Sequence, residues 1–284
     1  MSQKNKLEYK TYFSERGRTN MVYAIADIHG EYKRFKELLD KCHFKSEDTL
    51  YILGDVIDRG EASLEALRYI MSQPNMYMIK GNHESILEAV LNSNQDLNKV
   101  LEVLKRFKEA GDRNFQDIED DEIDVSVMPW SGLKRWYLNG GEVTVKQLLE
   151  LDIERIEEIR DYILGLPLYQ SYESKEGKQY LLVHAGVNVV PTDYEGEASW
   201  DKLKAYQGEK DLIWIREAFY LNEGLKDKIV VFGHTPTYEI HQSNQIWIDT
   251  TYHDKIGIDC GASYKEFDGK LACINLDTLE VYYA

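Results

Sequence analysis

Five times along the chain, a run of four to six mostly apolar residues, rich in β-branched and aromatic side chains, stops at a cluster of Gly, Asp or His. The runs are MVYAIADI (21–28), TLYILGD (49–55), MYMIKG (76–81), QYLLVHA (179–185) and KIVVFGH (228–234). Near-continuous apolar character over so short a length predicts strands buried on both faces. Helical spacing fills the gaps between the first three. Glu31 to Lys41 sets Phe35, Leu38 and Leu39 on one face, and Ala62 to Met71 forms the second pattern. Strand, helix, strand, helix, strand is the order of βαβ crossovers and a largely parallel sheet. Three later runs, IWIDT (246–250), KIGIDC (255–260) and LACINL (271–276), are short and separated by turn residues such as Asp268 and Gly269. They are read as antiparallel strands, so the expected fold class is a mixed α/β one. The stretch from 85 to 165 is helix-rich, with Leu87 to Leu91, Val100 to Phe107, Val143 to Leu151 and Ile153 to Leu164. It is expected to pack around the sheets as a helical insertion and to cover part of one end.

Length and charge narrow the class. At roughly 100–200 residues per domain, 284 residues allow one large α/β domain or two small ones. No internal repeat, low-complexity tract or Pro/Ser-rich linker breaks the chain. The reading is a single domain over 21–284, preceded by an extension over 1–20. A 43% hydrophobic and 12% aromatic composition rules out wholesale disorder. No uncharged apolar run approaches the roughly 18 residues that span a bilayer. The first twenty residues lack the apolar block of a signal peptide, which points to the cytoplasm. A net charge of −16 repels a phosphate backbone, so neither a nucleic-acid polymer nor an anionic membrane is an expected partner. The acidic run DIEDDEID (117–124) is read as a solvated loop, or as a surface that attracts basic peptides. Cys42, Cys260 and Cys273 are odd in number and form no CxxC pair, which marks them as small core residues of a reducing compartment.

Sites in open α/β sheets form beyond the carboxyl ends of strands. The residues expected there are Asp27, His29, Asp55, Asp58, Arg59, Asn82, His83, His184 and His234. They arrive in five motifs, DIHG (27–30), GDVIDRG (54–60), GNHE (81–84), HAG (184–186) and FGHT (232–235). Each motif alone is weak, and a DxH or GNH occurs by chance in turns and cores. Five in order, each closing a strand, are hard to obtain by accident. As metal ligands, Asp27 and His29 can reach one ion, Asn82, His184 and His234 a second, and Asp55 can bridge the two. Imidazole, carboxylate and amide ligands together suit Mn²⁺, Fe or Zn²⁺ better than an all-oxygen ion. Two ions roughly 3.5–4 Å apart are the arrangement used for in-line displacement at phosphorus.

The ordered set DIHG, GDVIDRG, GNHE, HAG and GHT resembles the phosphoprotein phosphatase branch of the calcineurin-like metallophosphoesterases, over residues 21–262. Asn139-Gly140-Gly141, DYILGLPLY before HAG, Trp214-Ile215-Arg216-Glu217 and Ile258-Asp259-Cys260-Gly261-Ala262 resemble its bacterial and phage members. The resemblance implies two mixed β-sheets packed face to face, with helices outside and a dinuclear site at one end. It implies the same six metal ligands, and all six positions carry the expected residue type. A water shared by two divalent ions, Mn²⁺ first among the candidates, then loses its proton near neutral pH and attacks phosphorus, so no Ser or Cys nucleophile is needed. By the same resemblance Arg59 and Arg216 bind the phosphoryl oxygens, with Asn82 beside them. His83 is the general acid and Asp58 its partner.

That branch contains Ser/Thr protein phosphatases and symmetrical diadenosine tetraphosphate hydrolases. The expectation here is a protein phosphatase, because DIEDDEID and the segment 191–211 are acidic on balance and would repel a polyphosphate while attracting Lys/Arg beside a phosphoserine. A dinucleoside polyphosphate is the alternative substrate. A metal-binding partner protein without turnover is a third reading, against which the full ligand set and the His83–Asp58 pair count. Glu84 is expected behind the ligands. His43, His241 and His253 match no motif and are expected on the surface, and Tyr23, Tyr51 and Tyr77 in the core.

Overall fold

The computed structural model describes residues 20–92, 97–110, 130–191, 194 and 196–284. The 1–20 extension, all but its last residue, the DIEDDEID run and part of the 191–211 segment therefore lie outside the described residues. Ten strands are formed: β1 (Val22–Ile25), β2 (Thr49–Ile52), β3 (Met76–Met78), β4 (Tyr169–Glu173), β5 (Gln179–Val183), β6 (Ile229–Phe232), β7 (Trp247–Ile248), β8 (Lys255–Gly257), β9 (Ala272–Asn275) and β10 (Val281–Tyr283). The helices are α1 (Tyr32–Lys41), α2 (Ser63–Met71), α3 (Asn82–Leu91), α4 (Leu97–Ala110), α5 (Trp130–Trp136), α6 (Glu142–Leu148), α7 (Ile153–Leu164), α8 (Trp200–Leu203), α9 (Glu209–Trp214), α10 (Glu217–Tyr220) and α11 (Thr237–His241). Among the described residues no helix is long and apolar enough to cross a membrane.

The strands make two five-stranded mixed sheets, ordered β10-β9-β1-β2-β3 and β4-β5-β6-β8-β7. As expected, β1, β2 and β3 run parallel, joined through α1 and α2. The period of two then sorts each strand between layers. Tyr23 and Ile25 face the helices, in a cluster with Phe35, Leu38, Leu67 and Ile70. Ala24 and Ala26 face inward, with Leu53, Ile79 and Ile274, onto Tyr180, Leu182, Val231 and Ile256 of the other sheet. Leu181, Val183, Val230 and Phe232 turn outward onto α8, α9 and α10 through Trp200, Leu212 and Phe219. The central strands are thus buried on both faces, which is why they read as unbroken apolar runs.

Three details differ from the sequence reading. The Lys255–Gly257 strand is antiparallel to β7 but parallel to β6, whereas β7 and β9 are antiparallel to every strand they pair with. Two strands, β4 and β10, had no apolar run to announce them. β4 is an edge strand on which no residue is fully buried. Tyr77 is 48% exposed because β3 is also an edge strand, whereas Tyr23 on central β1 is buried. The three cysteines are free and buried, and His43, His241 and His253 are exposed.

Candidate active site

Parallel strands put their carboxyl ends on one side, and the loops after β1, β2, β3, β5 and β6 meet there. Backbone bonds tie these loops together: the N–H groups of Asp27 and His29 donate to the carbonyls of Gly54 and Asp55, and that of Gly233 to His184. The result is a cleft lined by Asp27, His29, Asp55, Arg59, Asn82, His83, Arg216 and His234. His184 and Asp58, fully buried, lie directly behind it. All ten residues expected from the sequence gather at this one place. Six of them, Asp27, His29, Asp55, Asp58, Arg59 and His234, hold positive φ between 45° and 71°. Left-handed backbone in non-glycine residues costs on the order of 1–3 kcal/mol each and concentrates where a site over-determines the chain.

Among the described residues, two groups of side chains have ligand atoms close enough to hold a cation: His29, Asp55 and His83, and Asp55, His184 and His234. Asp55 belongs to both. Its Oδ2 lies 3.7 Å from His29 Nε2 and 3.5 Å from His184 Nε2. The imidazoles are oriented from behind, His29 Nδ1–H donating to the Ile57 carbonyl at 3.0 Å and His184 Nδ1–H to the Leu53 carbonyl at 2.6 Å. This leaves both Nε2 lone pairs turned to the site, as metal-binding histidines require. His184 Nε2 then faces the Asn82 amide oxygen at 2.9 Å, acceptor to acceptor, unless a proton or a cation lies between them. His234 Nε2 is buried without a hydrogen-bond partner among the described residues. Asp27 stands beside the second group, both of its oxygens receiving the His234 N–H at 3.2 and 3.0 Å.

The electrostatics point the same way. Burial and the neighbouring Asp259 charge push Asp27 well above the usual carboxylate range. Burial and the charges of Arg59 and His83 hold His29 well below its ordinary value, and burial with His184 brings His234 down to about 2. Burial would raise Asp55, but His184 and His83 outweigh it and lower it strongly. Burial would lower His184, yet Asp55 and Asp27 carry it up to about 10. A divalent cation would relieve this crowding, because it favours Asp27 as a carboxylate and His184 as a neutral imidazole together. The residues present fit two such cations.

His83, in the first turn of α3, turns Nδ1 to Asp58 Oδ2 at 2.5 Å. Its Nε2 faces the cleft, 3.4 Å from Arg59 Nη2 and 3.9 Å from Asp55 Oδ2. Burial alone would lower its pKa, but the Asp55 charge and the Asp58 hydrogen bond and charge prevail and raise it. Glu84, fully buried, accepts from the N–H groups of Asp55 (2.8 Å), Val56 (2.9 Å), Ile57 (3.4 Å) and Gly81 (3.1 Å), and so shapes the loop that carries Asp55. The sequence reading did not assign Asn139, Trp214, Glu239, Asp259 and Tyr264, which also line the cleft, nor Trp136 and Thr144 behind it. Asn139, Trp214 and Asp259 stand inside motifs it quoted; for the others, only the fold supplies the signal.

The family model described as calcineurin-like phosphoesterase matches residues 21–259. A symmetrical bis(5'-nucleosyl)-tetraphosphatase of Aromatoleum aromaticum is 38% identical over 95 residues, 33% of this chain and 35% of that protein. A protein of the same description from Buchnera aphidicola subsp. Acyrthosiphon pisum is 31% identical over 156 residues, 51% of this chain and 55% of its own. The matches thus span about a third to a half of those relatives' length. Among solved structures, a metallophosphoesterase from Sphaerobacter thermophilus superposes with a TM-score of 0.46 at 14% identity, covering 93% of this chain and 87% of its own. The activity expected first from the sequence was that of a Ser/Thr protein phosphatase, whereas these relatives carry the name of the tetraphosphatases, the alternative reading. With the family match running through every strand-end motif that builds the cleft, the chain belongs to the calcineurin-like phosphoesterase family.

Proposed function

We propose that this cleft hydrolyses the anhydride chain of dinucleoside tetraphosphates, symmetrically, into two nucleoside diphosphates. Asp27, His29 and Asp55 would hold one divalent cation, and Asp55, Asn82, His184 and His234 the other, a mixed imidazole, carboxylate and amide set that accommodates Mn²⁺, Fe or Zn²⁺. Bound there, two such cations supply Lewis acidity toward phosphoryl oxygens and lower the pKa of a coordinated water. Arg59 and Arg216, both lining the cleft, neutralise the charge on the phosphoryl group. His83, backed by Asp58, gives a proton to the departing oxygen.

The observation that carries the substrate class is the pair of exposed aromatic side chains on the cleft, Trp214 and Tyr264, 46% and 42% exposed. Trp214 packs edge-on to His234, with ring centroids 5.9 Å apart, and Tyr264 lies 5.5 Å from the Arg59 guanidinium. One ring thus stands beside a proposed metal ligand and the other beside a proposed phosphoryl-binding group, where a nucleotide base could stack. The names of the relatives support the same choice. A phosphoserine or phosphothreonine substrate is the second reading, favoured by the buried His83–Asp58 pair. An alkoxide departs far less readily without a proton than a nucleoside diphosphate does.

The test is a Mn²⁺-supplemented comparison of diadenosine tetraphosphate, a Lys/Arg-flanked phosphopeptide and an aryl phosphate. The highest kcat/KM is expected for the dinucleotide. Trp214→Ala should raise its KM roughly 5- to 150-fold, the equivalent of one stacked base at about 1–3 kcal/mol. A phosphopeptide kcat/KM a hundredfold above that of the dinucleotide would reverse the choice.

A further inference from the structure

The loop that carries Asp58 and Arg59 is strained at both residues, with φ of 71° and 67°. Both of their N–H groups are satisfied from the helical block after β3. The Asp58 N–H donates to Thr144 Oγ1 at 3.1 Å, and the Arg59 N–H to the Gly140 carbonyl at 3.0 Å. Gly140 sits at φ +100° between α5 and α6, and a Cβ there would lie 2.6 Å from Arg59 Cγ, so this approach requires glycine. The same block then seizes the Asp58 carboxylate. The Thr144 hydroxyl donates to Oδ1, and Trp136 Nε1–H donates to Oδ2 at 2.6 Å, the oxygen that also meets His83 Nδ1. Trp136 and Thr144 are 2% and 0% exposed, so neither can touch substrate.

We infer that Trp136 and Thr144 are positioning residues for proton transfer: they fix the plane of the Asp58 carboxylate and thereby aim His83 Nε2 at the leaving oxygen. Three donors on two oxygens leave the carboxylate one orientation. With Thr144 or Trp136 removed it can rotate, and the imidazole that follows it loses its line to the cleft. A misplacement of about 1 Å costs on the order of 100-fold when the group must act in one geometry. This inference rests on the proposed role of His83 as proton donor, and the test separates the two.

The experiment uses the Mn²⁺-loaded full chain and a leaving-group series from nitrophenyl phosphate through phenyl phosphate to an alkyl phosphate. The readout is the ratio of kcat on the alkyl ester to kcat on the nitrophenyl ester within each preparation. An inactive or unfolded fraction cancels from that ratio. Thr144→Val and Trp136→Phe should each lower it roughly tenfold to a hundredfold, within the 10²–10⁴-fold a general acid supplies. Thr144→Ser, which keeps the hydroxyl, should restore it. Thr144→Val added to His83→Asn should lower it no further. An unchanged ratio in Thr144→Val and Trp136→Phe, with His83→Asn lowering it, would overturn the positioning role alone. An unchanged ratio in His83→Asn would remove the proton donor and the inference together.

Discussion

Gly81→Ala perturbs the shared carboxylate without replacing a proposed ligand. Gly81 precedes α3 at φ −94° and ψ 175°, a conformation alanine adopts freely, so backbone strain does not enter. A Cβ at this position would lie 2.2 Å from Asp55 Oδ1, 2.5 Å from the Asp55 nitrogen and 2.8 Å from Glu84 Oε2. Restoring a 3.0 Å contact drives the Asp55 carboxylate back by about 0.8 Å, several times the roughly 0.2 Å tolerance of metal–ligand distances. Because Asp55 Oδ2 lies between His29 Nε2 and His184 Nε2, the displacement reaches both cation positions. Gly233→Ala is the control. Its Cβ would lie 2.1 Å from Asp27 Oδ2 and 2.7 Å from Ala26 Cβ, and its three nearest atoms all belong to Asp27 and Ala26. Overpacking of this kind costs about 1–3 kcal/mol, less than the stability of an ordinary domain, so both variants should fold. In Mn²⁺ titrations followed by calorimetry and elemental analysis, Gly81→Ala should weaken both ions by roughly 10- to 100-fold, the loss typical of removed outer support. Gly233→Ala should weaken one and spare the other. Two ions bound to Gly81→Ala at wild-type affinity would refute the claim that Asp55 bridges them.

His83→Asn should leave two Mn²⁺ per chain by elemental analysis and slow alkyl phosphates about 10²–10⁴-fold more than nitrophenyl phosphate. Loss of an ion would instead make His83, whose Nε2 is 3.9 Å from Asp55 Oδ2, a ligand. Chelation should abolish turnover and Mn²⁺ should restore it; full activity in metal-free protein would contradict the donor assignment. Lys255→Met should lower stability by about 3–5 kcal/mol in denaturant unfolding, because the fully buried ammonium pairs with Asp249 at 3.1 Å and with Asp254, and its removal strands two buried carboxylates. A change under about 0.5 kcal/mol would show that the pair contributes nothing net.

The side chains that gather in the cleft were legible in the sequence because burial and chemistry are written into the same short windows. An apolar strand such as Tyr23–Ile25 cannot carry Asp27 and His29 at its end without placing them at the edge of a core. Strand direction is not written locally. Nothing within Lys255–Gly257 says that it runs parallel to β6, since that depends on the path through α11 and β7. The pairing of two sheets was likewise supplied by resemblance, because Ala24 and Ala26 announce a close inner layer only once Tyr180 and Val231 are known to face them. Trp136 and Thr144 stayed hidden for the same reason. Their bonds to Asp58 cross 78 and 86 residues, a separation at which no spacing rule operates. The proposed substrate class rests on the cleft walls, where Trp214 and Tyr264 arrive from segments 50 residues apart.

A single-turnover reaction of the Mn²⁺-loaded chain with diadenosine tetraphosphate in ¹⁸O-labelled water, its products resolved by mass spectrometry, tests the central claim most directly. Two molecules of ADP, with one ¹⁸O in one of them, are the predicted outcome: water attacks phosphorus in a single step and the cut falls at the middle of the chain. ATP with AMP, label absent from the products, or no turnover while a phosphopeptide is rapidly hydrolysed would contradict it.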